Sequence, residues 1–367
     1  MARIAFIADV HLANHRKVGG EYIGGINQRG SEIIKTLQAL TSVLQTNNVD
    51  AVVVCGDLFD TDTPSPPLIA ATMGVVQQWM AVVGQVILLV GNHDQRSDQC
   101  MDHALAPLIY LNRGVETRVH VVDSPRHVRV RDVCVACVPF AKGSAAEWFS
   151  EAVRVATAGT GNTQMLLAFH LGVEDENTPV FLRGASDSVA VGVLVDLCES
   201  YGIGAAFAGN WHTPRRWSAS DVDVVQCGAF VPTGWDNPGL AYGFVTLYDT
   251  DTGSVAIQSV PGPRFVVVNG VPKSADKPQL SCTYVRVRVP STKDATEALA
   301  WIEANTRGHG EVLVVPQVDV GGDGAVPSPP VGVSQVREVV HRYIEGMPLV
   351  EGVRRGVIHQ HVMGALG

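Results

Sequence analysis

The chain has 367 residues, of which 46% are hydrophobic and 17% charged, and its formal net charge at pH 7 is −9. These values are typical of a globular protein with a sizeable core, and the length favours one large domain with an appended unit. The excess of acidic residues argues against a protein that binds nucleic acids nonspecifically. It does not argue against a local group of basic residues beside an active site. No apolar run approaches the ~18 residues of a membrane span, so we expect a cytoplasmic protein with no membrane contact.

Apolar strands alternate with helical segments over the first 260 residues or so. The first predicted elements are a strand at 3–8, a helix at 31–45 capped by Ser31, a strand at 51–55, a helix at 65–83 and a strand at 85–90. Shorter strands follow His120, with helices around 145–157 and 189–201. Continuous apolar strands between helices indicate sheets that are buried on both faces. We predict an α/β fold with two packed sheets and outer helices.

A polar, proline-containing joint near residues 271–277 predicts the end of the first domain, which we place at residues 1–270. Residues 278–330 have the pattern of a small β-α-β cap, and residues 331–367 that of a C-terminal helical tail with a helix at 334–346. We expect the cap and the tail to contact a substrate or a partner rather than to complete the active site.

Polar side chains follow five of the predicted strands, in the motifs DVH, GDLFD, GNHD, FH and GNWH. The residues are Asp9 and His11, then Asp57, then Asn92, His93 and Asp94, then His170, and last Asn210 and His212. Each motif alone is weak evidence, since Asp and Gly-Asn are common in turns. Loops beyond the carboxyl ends of the strands in an open α/β sheet meet at one crevice, so all five can share a site.

Carboxylates and imidazoles are good ligands for manganese, zinc or iron. Strand alternation puts Asp9 and His11 on the same side, so both can reach one metal, and Asp57 could bridge two metals. A pair of cations can bind a phosphate ester and lower the pKa of a bridging water. His93 could protonate the leaving oxygen, and Asp94 could fix the tautomer of that histidine.

The ordered motifs resemble the calcineurin-like metallophosphoesterase superfamily over residues 1–260. Within it the chain is most similar to the exonuclease subunit of the SbcCD/Mre-type break-repair nucleases of bacteria and phages. The similarity rests on ADVHLA, on GDLFDTDTPSP and on the small β-α-β cap. It implies the two-sheet metallophosphoesterase sandwich and a dinuclear metal-dependent phosphodiesterase acting on DNA, in repair or recombination. It also implies manganese as the metal (with magnesium, zinc or iron as alternatives), an SMC-like ATPase partner of the SbcC type, and a homodimer.

Carried over by position, the resemblance implies a ligand set and a catalytic residue. The first metal would be held by Asp9, His11 and His212, the second by Asn92, His170 and residue 210, with Asp57 bridging and His93 acting as the acid. The family has histidine where Asn210 stands. Asn210 is either a ligand through its amide oxygen, which is a weaker donor than imidazole, or a turn residue without metal contact.

Two other functions stay open at the level of sequence. One is a phosphoesterase for small molecules, such as cyclic nucleotides or nucleotides, and the other is a catalytically weak subunit that binds DNA or a partner. Two neighbouring pairs are similarly ambiguous: Trp211 and Trp217 could stack on a base or pack at the rim, and Arg215 and Arg216 could hold phosphates or be solvated.

Overall fold

The structure is a computed structural model. It describes residues 2–16, 19–96, 102–112, 116–141, 145–161, 163–179, 182–235, 243–260, 262–273, 283–306 and 310–315. The predicted tail at 331–367 and its helix at 334–346 lie outside the described residues, as does the end of the predicted cap. Residues 1–316 form one compact unit, and residues 317–367 are assigned to a second one.

The helices and strands follow in chain order. The helices are α1 (Gln28–Thr46), α2 (Pro66–Met80), α3 (Ala145–Thr157), α4 (Val191–Tyr201) and α5 (Thr292–Thr306), with a 3-10 helix at Ala106–Leu111. The first ten strands are β1 (Arg3–Ile7), β2 (Tyr22–Ile23), β3 (Ile26–Asn27), β4 (Ala51–Val54), β5 (Gln85–Leu89), β6 (Val119–Val122), β7 (Arg126–Val130), β8 (Val133–Val138), β9 (Gln164–Phe169) and β10 (Gly172–Glu174). The others are β11 (Ser188–Ala190), β12 (Ile203–Ala208), β13 (Arg215–Ala219), β14 (Val222–Gln226), β15 (Gly243–Asp249), β16 (Ser254–Val260), β17 (Arg264–Asn269), β18 (Thr283–Val289) and β19 (Gly310–Val314).

Two six-stranded sheets form the body of the protein. Their strand orders are β16-β15-β1-β4-β5-β6 and β13-β14-β12-β9-β8-β7. Strands β1, β4, β5 and β6 are parallel to one another, and so are β8, β9, β12 and β14. The antiparallel strands lie at the sheet edges, where β15 pairs with β1 and β7 with β8. The carboxyl ends of the parallel strands within each sheet therefore lie on one side.

Side-chain alternation along the strands explains how the two sheets pack. In β1, Ile4 and Phe6 belong to a buried cluster that also contains residues of the second sheet, and the Phe6 ring stacks on Phe207 with centroids 3.6 Å apart. The intervening Ala5 and Ile7 belong to a cluster with residues of α1 and α2. On the far side of the second sheet, a third cluster includes residues of α3 and α4. Both sheets are thus covered on both faces, which confirms the predicted α/β sandwich with outer helices.

The start of α1 differs from the prediction. The helix begins at Gln28 with Asn27 as its cap, and the Asn27 side chain accepts a hydrogen bond from the Gly30 backbone N–H at 2.9 Å. Ser31 lies inside the helix and does not cap it. Asn is favoured at the cap position as much as Ser, and Asn27 lies four residues before Ser31, so residue type alone does not separate the two positions.

A small parallel sheet, β17-β18-β19, packs against α5. Its strands β18 and β19, together with α5, form the predicted β-α-β unit. Its first strand, β17, comes from residues that the sequence assigned to the catalytic domain. The sheet contacts the main body through α1, because Tyr284 donates a hydrogen bond to Glu32 at 2.7 Å. Arg29 of α1 lies over the rings of Phe265 and Tyr284, 4.9 and 5.8 Å from their centroids. In the described part of the chain, no helix is both long enough and apolar enough to cross a membrane.

Candidate metal centre

The polar residues that follow β1, β4, β5, β9 and β12 come together in the structure. Three groups of side chains each place their ligand atoms within 4.8 Å of one another. The groups are Asp9, His11 and His212; His11, Asp57 and His93; and Asp9, Asp57 and His170. Because the groups share Asp9, His11 and Asp57, they form one continuous cluster.

The first group has the properties of a cation site. The Nε2 atoms of His11 and His212 lie 3.1 Å apart, so both face the same point. Asp9 is fully buried, and its Oδ1 atom accepts a hydrogen bond from the Asn210 backbone N–H at 2.9 Å. Its Oδ2 atom is buried and has no hydrogen-bond partner among the described residues. A buried carboxylate oxygen with no partner is costly unless a cation neutralises it, so these residues fit a bound metal.

The second group is centred on His170, which is fully buried. Its Nδ1–H donates to the Cys55 carbonyl oxygen at 2.6 Å, which fixes the ring and directs Nε2 the other way. The Nε2 atom lies 2.9 Å from Asn92 Oδ1 and 3.3 Å from Asp57 Oδ2. The same Asp57 Oδ2 atom is 3.8 Å from His11 Nε2. Asp57 therefore stands between the two groups, where a ligand shared by two cations would have to be.

Burial and close charges shift the pKa values of these residues. Burial raises the pKa of the Asp9 carboxyl, more than the nearby histidines lower it. Burial alone would lower the pKa of His170, but the charge of Asp57 raises the pKa of His170 to about 9. Burial would likewise raise the pKa of Asp57, but the charge and hydrogen bond of His170 lower the pKa of Asp57 to about 2. The charged forms of His170 and Asp57 therefore stabilise each other, whereas burial lowers the pKa of His212.

The backbone of the ligand loops is held in an unusual conformation. Asp9, His11 and Asp57 have φ values of 51°, 48° and 52°, in the left-handed region. Each such residue costs about 1–3 kcal/mol, and such strain concentrates at functional sites. Glycines before two of the ligand candidates make the close packing possible. A Cβ on Gly56, before Asp57, would lie 2.1 Å from His170 Nδ1, and one on Gly91, before Asn92, would lie 2.1 Å from Asp57 Oδ1.

His93 lies at the open side of the cluster, and 44% of its side chain is exposed. Its backbone N–H donates to Asp57 Oδ1 at 2.9 Å, and its ring meets the His11 ring edge-on with centroids 4.7 Å apart. Its Nδ1 atom is 3.5 Å from the carbonyl oxygen and 3.6 Å from the Oδ1 atom of Asp60. The ring is therefore beside the ligands yet within reach of solvent and of a bound substrate.

Comparison with known protein families agrees with this geometry. Residues 2–214 match the family model described as calcineurin-like phosphoesterase, and this stretch contains every ligand candidate named above. The chain belongs to the calcineurin-like phosphoesterase family. Members of this family are metal-dependent hydrolases, and the clusters around Asp57 are the candidate ligand set of this calcineurin-like phosphoesterase. No curated protein sequence matches the chain.

Several solved structures are similar to this calcineurin-like phosphoesterase at low identity. A dimetal phosphatase from Danio rerio is 11% identical, with a TM-score of 0.42, and the match covers 71% of this chain and 96% of that one. A novel archaeal phosphodiesterase is 11% identical, with a TM-score of 0.37, and the match covers 70% of this chain and 99% of that one. Similarity at this level says nothing about the substrate of this chain.

Asp94 does not orient His93, which corrects the role expected from the GNHD motif. Its buried carboxylate accepts hydrogen bonds from the backbone N–H groups of Leu58 at 3.3 Å, Phe59 at 2.9 Å and Gly91 at 3.0 Å. Burial and the charge of Asp57 raise the pKa of Asp94 to about 7. Asp94 thus ties the GDLFD loop to the GNHD loop and positions the ligands through the backbone.

Asp60, the second aspartate of GDLFD, was missed as a site residue. Its Oδ1 atom accepts a hydrogen bond from His11 Nδ1 at 2.9 Å, which directs His11 Nε2 toward His212 and Asp57. Thr233 has a similar position relative to His212. Its hydroxyl lies 3.1 Å from Nδ1 of His212, the ring nitrogen that does not face His11. Asp60 is three residues after Asp57 in the same loop, so the motif itself could have indicated it, whereas nothing in the sequence indicates Thr233.

Asn210 lies beside the cluster and is tied to two aspartates. Its backbone N–H donates to Asp9 Oδ1, and its side-chain Nδ2 donates to the Asp187 carbonyl oxygen at 2.9 Å and to Asp187 Oδ2 at 3.2 Å. Its φ of 83° is that of a turn residue in the left-handed region. These contacts favour the turn interpretation, and ligation through its amide oxygen stays a prediction.

The nearby tryptophan and arginine side chains have protein partners. Trp217 packs against the cluster on the outer face of the second sheet, and its Nε1–H donates to Asp175 at 3.0 Å. Arg215 pairs with the same aspartate at 3.1 Å, and Arg216 pairs with Asp223 at 3.0 Å. Rim packing is therefore the role of Trp217, and neither arginine is an isolated surface charge.

Proposed function

We propose that this chain is a phosphodiesterase that hydrolyses DNA with the help of two divalent cations, as the end-processing subunit of an SbcCD-type complex. The observation that carries the hydrolytic part is the position of Asp57, which is shared by two groups of ligand atoms and lies 3.3 Å from His170 and 3.8 Å from His11. A single shared carboxylate between two sets of imidazole ligands is what a pair of adjacent cations requires.

The residues divide into three roles in this proposal. Asp9, His11 and His212 would hold the first cation, Asn92 and His170 would hold the second, and Asp57 would be available to both. When bound, the cations would polarise the phosphoryl oxygens, lower the pKa of an attacking water and neutralise developing charge. Asp9, Asp57 and His170 are at most 1% exposed, so they keep bulk water away from the inner side of the site.

His93 completes the chemistry as the proton donor to the leaving oxygen. It is the most exposed of the clustered histidines, and its Nδ1 atom lies against Asp60, so Nε2 is the ring nitrogen that would face a substrate. A general acid must reach the leaving group while its own orientation is fixed, and His93 meets both conditions.

Support for DNA as the substrate comes from the sequence. The stretches ADVHLA and GDLFDTDTPSP and the small β-α-β unit resemble the SbcD-type nuclease subunits, and the proposal takes its metal and its partners from that resemblance. The metal is manganese, the partner is an SMC-like ATPase of the SbcC type, and two copies of the chain associate. The small sheet packs against α1, and Arg29 of α1 donates to the carbonyl oxygen of Thr233, whose hydroxyl contacts His212.

The purified full chain should be assayed after chelator treatment, with and without added manganese. The substrates are labelled duplex and single-stranded DNA, bis-p-nitrophenyl phosphate, and cyclic and linear mononucleotides. The proposal predicts manganese-dependent cleavage of DNA and of the small diester. Cleavage of mononucleotides without DNA cleavage would instead identify a small-molecule phosphoesterase. Binding of DNA with no hydrolysis of any substrate would identify a binding subunit.

A matched pair of variants ties the activity to the site. Asp57→Asn removes the shared carboxylate and should abolish hydrolysis of all these substrates. Asp221→Asn makes the same chemical change in an exposed turn between β13 and β14 and should leave the rates unchanged. Equal activity of the two variants would mean that hydrolysis comes from elsewhere or from a contaminant.

A further inference from the structure

A cavity of about 300 Å³ opens beside the metal centre. The metal-ligand candidate His212 forms part of its wall, so whatever fills the cavity lies next to the reacting phosphate. Its lining includes Pro179, Leu182, Trp211, Arg215 and Gln226. A lining that combines Pro179, Leu182 and the indole of Trp211 suits a flat, largely apolar group.

We propose that this cavity holds the nucleobase of the DNA nucleotide next to the phosphate that is cleaved, and that it does so without regard to base identity. The inference rests on the proposed action on DNA. A phosphodiester in a nucleic acid carries a base within a few bonds, and every base has a flat face that can stack on an aromatic side chain.

The indole of Trp211 is held in place by the backbone behind it. A Cβ on Gly172 would lie 2.3–2.4 Å from three atoms of the indole ring, so the ring rests directly on this glycine. Gly172 is itself fixed, because it begins β10 and its N–H donates to the Asp187 carbonyl oxygen at 2.9 Å. A ring that is already immobilised loses little entropy when a base stacks on it.

Several polar side chains around the cavity already pair within the protein. Gln226 donates through Nε2 to the Thr213 carbonyl oxygen and accepts through Oε1 from the Val173 N–H at 3.1 Å. Arg215 pairs with Asp175, and Asn210 donates to Asp187. Reading a base requires donors and acceptors that are free to pair with its edge. This cavity offers stacking and shape, so the four bases should be accepted alike.

The direct test is a ligand-observed NMR titration of the chelator-treated full chain. It measures the dissociation constants of the four deoxynucleosides and of 2-deoxyribose. All four deoxynucleosides should bind with dissociation constants within about fivefold of one another, and 2-deoxyribose should bind much more weakly. Equal binding of 2-deoxyribose, or binding of one base only, would overturn the inference. Nucleosides carry no phosphate, so nucleoside binding without any phosphodiester hydrolysis would refute the proposed function alone.

Two substitutions test the indole and its support. Trp211→Ala should weaken nucleoside binding roughly tenfold or more, and Trp211→Phe should restore part of the affinity. Gly172→Ala should weaken binding by displacing the ring, whereas Gly192→Ala is the matched control, since a Cβ there meets nothing within 4 Å. Unchanged binding in Trp211→Ala would overturn the inference even if Gly172→Ala failed to fold.

Discussion

At the level of single residues, Asp9 combines complete burial with a carboxylate oxygen that accepts no hydrogen bond from the described residues. Burial raises the pKa of this carboxyl, which means that its ionised form destabilises the metal-free protein. A cation bound between Asp9, His11 and His212 would remove this penalty. Metal binding should therefore stabilise the fold as well as permit catalysis.

Asp9→Asn tests this link between metal and stability. With chelator, the variant should be at least as stable as the native protein, because a buried neutral amide costs less than a buried charge. With manganese at about 100 times its dissociation constant, the native protein should gain about 2.7 kcal/mol, and the variant much less. Thermal unfolding with and without manganese measures both effects. The same rise in melting temperature in both proteins would show that Asp9 is not a ligand.

His93 is the second residue with a distinct expected outcome, because it stands beside the cluster and is partly exposed. His93→Ala should reduce turnover about 100-fold or more, as expected when a general acid is lost. The manganese-induced rise in melting temperature should remain. His127→Ala, at an exposed position of β7, is the control and should change neither quantity. If manganese no longer raises the melting temperature of His93→Ala, His93 is a metal ligand and not only a proton donor.

At strand ends, the topology alone decides which of the predicted side chains come together, and their roles as metal ligands stay predictions. Asp9, His11, Asp57, Asn92, His170 and His212 follow parallel strands, and the topology brings their side chains together. Asp94 could not be assigned from sequence, because the choice between His93 and three backbone amides depends on how two loops lie against each other. The same holds for Thr233, which is 21 residues from the histidine it supports.

At the level of secondary structure elements, the strands predicted at 3–8, 51–55 and 85–90 agree with β1, β4 and β5 within one residue, because buried parallel strands are continuous apolar runs. The start of α1 was less certain, since more than one residue there can cap a helix. The pairing of β17 with β18 was not predictable from local pattern, because an apolar strand can join either of two sheets.

The small sheet is connected to the metal centre through Arg29. This buried guanidinium lies over the rings of Phe265 and Tyr284 and donates to the Thr233 carbonyl oxygen. The Thr233 hydroxyl in turn contacts His212. A change at the small sheet can therefore reach a metal-ligand candidate through one arginine and one threonine.

Arg29→Met keeps much of the volume and removes the charge and its hydrogen bond. We expect it to lower the free energy of unfolding by about 2–3 kcal/mol, the cost of losing a charged hydrogen bond in a buried setting. We also expect weaker manganese binding, because Thr233 loses the contact that fixes its backbone. Chemical denaturation and calorimetric titration measure the two effects. Arg129→Met, on the exposed face of β7, should change neither. Destabilisation with unaltered manganese affinity would break the proposed connection.

At the level of the whole molecule, two sheets from distant parts of the chain supply one site. The first sheet contributes Asp9, His11, Asp57 and Asn92, and the second contributes His170 and His212. The sandwich must therefore be fully packed before the ligands meet. The net charge of −9 makes a nonspecific attraction to DNA weak, so affinity must come from the metal centre, its adjoining cavity or a partner protein.

The most direct measurement is the number of manganese ions bound per chain, determined by calorimetric titration and checked by elemental analysis after dialysis. A two-cation centre predicts two ions per native chain, less than one for Asp57→Asn, and two for the control Asp221→Asn. The shared position of Asp57 between His11 and His170 is the reason that one substitution should weaken both ions. Binding of one ion or none by the native chain, or retention of both by Asp57→Asn, would contradict the dinuclear centre.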